Sequence, residues 1–466
     1  MVFSSSLFVF AFLPITYILY NIVPGLKAKN FILLIVSLLF YSFGRLDWLL
    51  LLLVSVICNY TAGILMTKSD TVRKISLIGA IIINLGMLCI FKYLNFFTAS
   101  LNMLPFINIT PTKIALPIGI SFFTFQGLSY VIDVFKTPSK STKDFGKVLL
   151  YISFFPQLVA GPIVKYSDIA DQIDYREKNF DLTVSGIKRF VAGLVKKLFF
   201  ANVLGKIADM VYSTDPSLLD SRIAWLGVLC YSLQIYFDFS AYSDMAIGLG
   251  RIFGFKIQEN FAHPYSSSSV KEFWRRWHIS LSSWFREYLY IPLGGNRRGK
   301  IRARINRFIV FFFTGMWHGA NWTFILWGLW HGLFLFLEDL YNKSKFKLPV
   351  LNRIYTLWVV AMGFMLFRSE SLSQAATMLK AMYLGFDFTY ETSVMLQNIL
   401  TPQILFTLIA GIIFSFPVVK WTRSFMARKN IALPAALELI IVLAVFILCV
   451  VKLASSSFNP FIYTQF

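Results

Sequence analysis

Charge is scarce in this 466-residue chain, and acidic charge most of all. Charged residues make up 14% of it, with 23 Asp and Glu against 44 Lys and Arg, where a soluble domain carries about 25%. That deficit excludes a soluble enzyme with a single anchor, and the apolar runs recur along the whole length, so one integral-membrane domain over 1–466 is expected. Cysteine is almost absent: Cys58, Cys89, Cys230 and Cys449 each fall in an apolar run and none forms a close-spaced pair, which argues against disulfide or zinc frameworks. Four histidines, from His263 to His331, lack zinc-ligand spacing, and a catalytic zinc needs three protein ligands, so no metal site is expected. HExxH, GxSxG and the Walker loop are missing. "GLGRIFG" (248–254) has one residue too many between its last two glycines for a dinucleotide fingerprint and ends an apolar run, which suits helix packing. No repeat relates the two halves, a point against a secondary transporter.

What is present is apolar: 57% hydrophobic, 17% aromatic, mean hydropathy +0.66. A crossing helix needs about 20 largely apolar residues. Candidate spans are 5–23, 31–44, 47–66, 75–98, 114–135, 148–164, 187–212, 223–250, 306–337 (long, tilted or broken), 354–368, 401–419 and 433–454. The opening "SSSLFVFAFLPITYILYNIV" lacks a basic n-region and a small-residue cleavage site, and reads as the first span. The expected fold is an all-α polytopic membrane protein with about 10–12 transmembrane helices plus re-entrant or interfacial helices, because lipid leaves open backbone groups unsatisfied. The net charge of +21 is punctuation between apolar runs, so nucleic acid is excluded as a partner and the bilayer is the expected one. "PGLKAKN", "TKSDTVRK" and "KTPSKSTKDFGK" would be cytoplasmic, "LNMLPFINITPTK" and "STDPSLLDS" outside, and the N-terminus outside.

Residues 251–307 hold twelve Lys and Arg against three Glu. Within them Trp274, Trp277, Leu281, Trp284 and Tyr288 recur at helical spacing as one aromatic stripe, and Lys271, Arg275, His278, Ser282 and Arg286 recur on another face. Such a helix lies along the membrane interface as an anchor, with His278 either near lipid headgroups or lining a cavity. "GGNRRGKIRAR" (294–304) follows; its five basic residues suit either phosphate binding or topological anchoring, and either role is cytoplasmic. Then "TGMWHGANWTFILWGLWHG" (314–332) places His318 and His331 in an almost wholly apolar and aromatic run.

Four blocks carry a resemblance: "SFFPQLVAGPIVKYSDI" (153–169), "YSLQIYFDFSAYSDMAIGLGRIFGF" (231–255), "EFWRRWHISLSSWFREYLYIPLGGNRRG" (272–299) and "WHGANWTFILWGLWHG" (317–332), with the ending "NPFIYTQF" (459–466). The chain resembles the bacterial membrane-bound O-acyltransferases of the alginate O-acetyltransferase type, almost end to end. The resemblance implies a helical core around a central tunnel, in a multi-pass protein of the bacterial inner membrane. It implies acetyl transfer from cytoplasmic acetyl-CoA, a donor substrate rather than a bound cofactor, across the membrane to an extracytoplasmic SGNH-type acetyltransferase or similar acceptor protein. The product would be an O-acetylated polysaccharide such as alginate, peptidoglycan or cellulose. It carries two histidines over by position: His318 of "WHGA" and His278 of "RRWHIS".

The residues agree. Acyl transfer to a hydroxyl needs a base near pH 7, which neutral imidazole supplies, and a thioester is already activated. His318, flanked by Gly315 and Gly319, whose small size would leave room for substrate, is expected to be that base. On one helical face with it, Asn321 would orient the ring or donate to the oxyanion. If 318–331 ran as one helix, His331 would sit near the opposite face and be structural. Trp317 and Asp238 are candidates to line the tunnel or bind substrate; Asp238 and Asp244 could equally form structural ion pairs. Arg297 and Arg298 are the candidates for the donor phosphates. Two alternatives stand: transfer of another group, such as D-alanyl to teichoic acid, and transport without covalent chemistry.

Overall fold

The computed structural model describes residues 1–341, 349–431, 434–455 and 461–462, so most of the closing "NPFIYTQF" lies outside the described residues. All regular structure among the described residues is helical. Among the described residues six helices are long and apolar enough to cross a membrane: Leu46–Leu65 (α1), the run Asp70–Leu101, whose first helix is Asp70–Leu88 (α2), Ser221–Ile252 (α4), Trp322–Leu340 (α8), Pro349–Arg368 (α9) and Ala435–Ala454. The pair Tyr390–Ile399 and Pro402–Ser415, bent by 70°, adds a seventh if it counts as one span. The remaining apolar runs of the sequence fold as shorter or broken helices. The run 148–164, for example, divides into Phe145–Ser153 and Phe155–Leu158, where Pro156 cannot continue a helix. Large apolar side chains stay exposed along these helices, Leu439, Ile440, Leu443 and Ile447 on the last one. In water such a surface would be costly; in lipid it is the outer face of a multi-pass membrane protein.

The contacts group into two compact units. The first comprises residues 1–190 and 242–259. There α1 and α2 pack with Ile120–Lys136 (α3), and Asn59 and Asn84 exchange hydrogen bonds at 2.8 and 3.2 Å. Interhelical amides of this kind act as polar glue where water is absent. Gly127 of α3 lets them in: a Cβ there would meet the Asn59 amide. In the same unit Arg189 bridges Asp244 at 2.7 Å and Glu259 at 2.5 Å.

The second unit comprises residues 191–241 and 260–462. Asp238 is buried and both its oxygens are engaged, by Lys197 Nζ at 2.6 Å and the backbone N–H of Ile462 at 2.7 Å. Residues 270–340 depart from their sequence pattern twice. The aromatic-striped helix is broken into Val270–Arg276 (α5) and Ile279–Phe285 (α6), followed by a π-helical turn, Arg286–Tyr290. Trp274, Trp277, Leu281, Trp284 and Tyr288 are buried in protein, which corrects the interfacial-anchor expectation. The run 306–337 is broken, as its length allowed, and forms a helical hairpin of Gly299–His318 (α7) and α8 with the break at Gly319–Asn321. Glycine makes the hairpin possible: a Cβ on Gly315 would collide with the Phe324 carbonyl, and one on Gly328 with the Phe311 carbonyl.

Candidate active site

His318 is the last residue of α7 and only 3% exposed. Its ring meets Trp317 and Trp327 at 4.9 Å each and Phe367 of α9 at 5.1 Å. The two glycines beside it do not open space for a substrate. Gly315 is filled by the backbone of α8, and the space a Cβ would take at Gly319 is held by the Phe324 ring. Glycine is needed there for close approach, since the Gly319 backbone is extended (φ −167°), a conformation open to any residue.

The break also removes Asn321 from the His318 face. Asn321 is the N-cap of α8: its side chain accepts from the Thr323 N–H at 3.2 Å and donates to the Glu370 carbonyl at 2.7 Å. A three-residue step shares a face only within one helix, so the orienting role expected for Asn321 is corrected to a cap. The same break brings His331 back. In the hairpin Trp327 stands against both rings, His318 at 4.9 Å and His331 at 5.2 Å, so the opposite-face expectation for His331 is corrected as well. His331 is fully buried among Trp274, Trp327 and Phe311, and neither of its ring nitrogens has a hydrogen-bond partner among the described residues.

His278 occupies the other break. It is fully buried, caps α6 and adopts a left-handed backbone, φ 45°. A non-glycine residue holds that conformation only where its surroundings over-determine it. Here the surroundings are Asn260, Ser280 and the rings of Phe239 (4.5 Å) and Trp317 (6.0 Å). Asn260 Oδ1 accepts from the Ser280 N–H at 3.2 Å and its hydroxyl at 2.9 Å, and lies 3.2 Å from His278 Nδ1. An oxygen there requires the proton on Nδ1, which leaves the lone pair on Nε2. Burial pushes the His278 imidazole well below its ordinary value, so the ring is neutral at pH 7. His278 therefore does not lie on the basic face with Lys271 and Arg275, as its spacing implied.

Trp317 lies between the two: its ring meets both His278 and His318. Arg297 and Arg298 are far along the chain direction. They are exposed and precede the first turn of α7, held there by Asn306, which donates to the Leu293 and Gly295 carbonyls. The 20 residues of α7 separate them from His318 by about 30 Å of helix rise. Asn260 and Trp327 were not singled out from the sequence. Trp327 had a signal, four residues before His331 on one helical face; Asn260, 18 residues before His278, had none.

The sequence profile of the membrane-bound O-acyltransferase family matches residues 33–373. The chain is 37% identical to the probable alginate O-acetylase AlgI of Azotobacter vinelandii over the whole of both chains. It is 42% identical to that of Pseudomonas aeruginosa, over 82% of this chain and 75% of that one. To the peptidoglycan O-acetyltransferase of Helicobacter pylori it is 36% identical, over 82% of this chain and 80% of that one.

Proposed function

The chain belongs to the membrane-bound O-acyltransferase family, and from that premise we propose that it moves acetyl from cytoplasmic acetyl-CoA to the hydroxyl of an extracytoplasmic acceptor. The acceptor would be an SGNH-type protein that finishes O-acetylation of a polysaccharide, and the host membrane the bacterial inner membrane. The names of the similar proteins support acetyl as the group and a polysaccharide as its destination.

The observation that carries the chemistry is the contrast between His318 and His278. His318 ends α7, where the helix carries partial negative charge and favours an imidazolium. It takes the proton from the acceptor hydroxyl as that oxygen attacks the thioester carbonyl. The tetrahedral intermediate collapses, the C–S bond breaks, and the proton passes to the departing thiolate, which restores neutral imidazole. His278 caps the opposite kind of helix end, where the backbone field disfavours an imidazolium, so it is the poorer proton acceptor. Its Nε2 lone pair accepts a hydrogen bond and orients the hydroxyl, with Trp317 as the wall shared by both rings. Removal of a general base commonly costs about 10²–10⁴-fold in rate.

Purified protein in vesicles, given radiolabelled acetyl-CoA with and without the secreted partner, tests this reading. Label transferred to the partner, with release of free thiol, is expected. Thioester that stays intact under all conditions would remove the acetyl-CoA reading.

A further inference from the structure

His263 takes no part in the site above, yet it adopts a left-handed backbone, φ 50°, at the start of the short helix Pro264–Ser266. A residue with a side chain is held there only by surroundings that over-determine it. Its Nδ1 is buried and has no hydrogen-bond partner among the described residues. The Ser415 carbonyl stands against the ring, and the charges of Lys196, Arg276 and Lys420 act on it. Arg276 is ion-paired with Glu272 at 2.7 Å, Lys196 donates to the Ser240 hydroxyl at 3.3 Å, and Lys420 is exposed. Burial first, then these three cations, holds the His263 imidazole below its ordinary value. Three cations against one carboxylate make this corner electropositive, a surplus suited to an anion.

Lys420 belongs to the helix Val418–Arg428, whose two faces differ. Val418, Trp421, Phe425 and Met426 share one face; Lys420, Arg423 and Ser424 share the other. The helix holds no Asp or Glu and buries none of its residues, and Trp421 and Phe425 are exposed. It closes on a left-handed Asn430: the Ile431 N–H donates to the Met426 carbonyl at 2.9 Å and the Asn430 N–H to the Ala427 carbonyl at 3.2 Å. It joins two apolar helices, Pro402–Ser415 and Ala435–Ala454. A basic amphipathic connector of that kind lies in the bilayer surface with its aromatic face toward lipid, and its charge puts it on the cytoplasmic side.

From Ser415 an apolar cavity of about 180 Å³ runs between α4, α9 and Pro402–Ser415. Val228, Leu229, Leu233, Val360, Ile412 and Phe416 line it. Its hydroxyls are already engaged: Ser232 by the Val228 carbonyl and Ser415 by the Ile412 carbonyl, each at 2.7 Å, and Tyr265 by the Ser232 carbonyl. An occupant therefore meets apolar surface only. Leu229 and Ile412 are 40% and 41% exposed, so the cavity opens sideways onto lipid. We propose that this corner binds one anionic phospholipid, with the phosphate at His263 and Lys420 and a length of one acyl chain in the cavity along α4. The lipid is a bound component and not a substrate, so the inference stands apart from the acyl-transfer reading. A free phosphate would satisfy the cations and leave the cavity unused.

Native mass spectrometry of the delipidated protein tests this with phosphatidylglycerol, phosphatidylcholine of the same chains, and glycerol phosphate. The wild type should bind phosphatidylglycerol about tenfold more tightly than phosphatidylcholine, and glycerol phosphate not detectably. Lys420→Glu should weaken phosphatidylglycerol about tenfold and leave phosphatidylcholine unchanged. Lys74→Glu, exposed on α2, is the charge-matched control and should change neither. Ala361→Phe, which fills the cavity, should weaken both lipids. Lys420 is an exposed side chain, so its variant folds and decides the matter even if Ala361→Phe unfolds. An equal loss in Lys74→Glu overturns the proposal, because it reduces the effect to diffuse surface charge. Displacement of the lipid by coenzyme A, or glycerol phosphate bound as tightly as the lipid, overturns it too, because either makes this a site for a soluble phosphate. So does a folded Ala361→Phe protein that keeps both affinities.

Discussion

The two helix breaks in the second unit, at Trp277–His278 and at Gly319–Asn321, each leave an imidazole buried, and they do so by opposite means. At the first, the histidine itself takes the strained left-handed backbone and a polar clamp of Asn260 and Ser280 holds it. At the second, no backbone is strained; tight packing of two helices through Gly315 and Gly328 fixes where His318 lies. The first break should therefore be sensitive to loss of hydrogen bonds, the second to added volume. One imidazole sits at a helix start and the other at a helix end, so the field of the backbone treats their protonated forms differently.

The largest effect should come from His318→Ala, which should lower acetyl transfer by about 10²–10⁴-fold while the protein still inserts and folds. Near-normal transfer at saturating donor and acceptor would mean that the helix-end argument chose the wrong ring. Asn260→Ala should come next. It removes an acceptor shared by the Ser280 N–H, the Ser280 hydroxyl and His278 Nδ1, at a cost of about 1–3 kcal/mol. Thermal unfolding in detergent reads the loss, and a change below that range would show that the clamp is not what holds the left-handed turn.

Gly315→Ala should cost about 1–3 kcal/mol by overpacking, and more than Gly319→Ala. The added methyl at Gly315 meets a backbone carbonyl that cannot move aside, whereas at Gly319 it meets the Phe324 ring, which can turn. Equal melting temperatures for the two variants would count against the packing account of the second break. His331→Gln should have the smallest effect and keep most of the activity, since its nitrogens engage no described residue. A loss as large as that of His318→Ala would make the Trp327-linked pair a single working unit.

Much of this protein was readable before any fold was known. The low charge and recurrent apolar runs required an all-helical membrane protein, because only closed backbone hydrogen bonding survives in lipid. The runs behind α1, α4, α9 and Ala435–Ala454 were placed to within a few residues. The Trp- and His-rich blocks carried the family, and both candidate histidines, without any contact information.

Periodicity could not see the breaks. A helical spacing describes residues on a face only while the helix continues, and at Trp277–His278 and Gly319–Asn321 it does not. The stripe of tryptophans looked the same whether it faced lipid or protein. Asn321 and His331 were assigned to faces of a helix that tertiary packing had folded in two. What decided those positions was the close approach of α7 and α8 at Gly315 and Gly328 and the acceptor supplied by Asn260 from outside both helices. Composition and pattern thus determined that the chain is helical and membrane-embedded, and the resemblance of its Trp- and His-rich blocks pointed to the family. Which side chains share one buried site was decided only by the tertiary structure, because it depends on where helices stop and on neighbours distant in sequence.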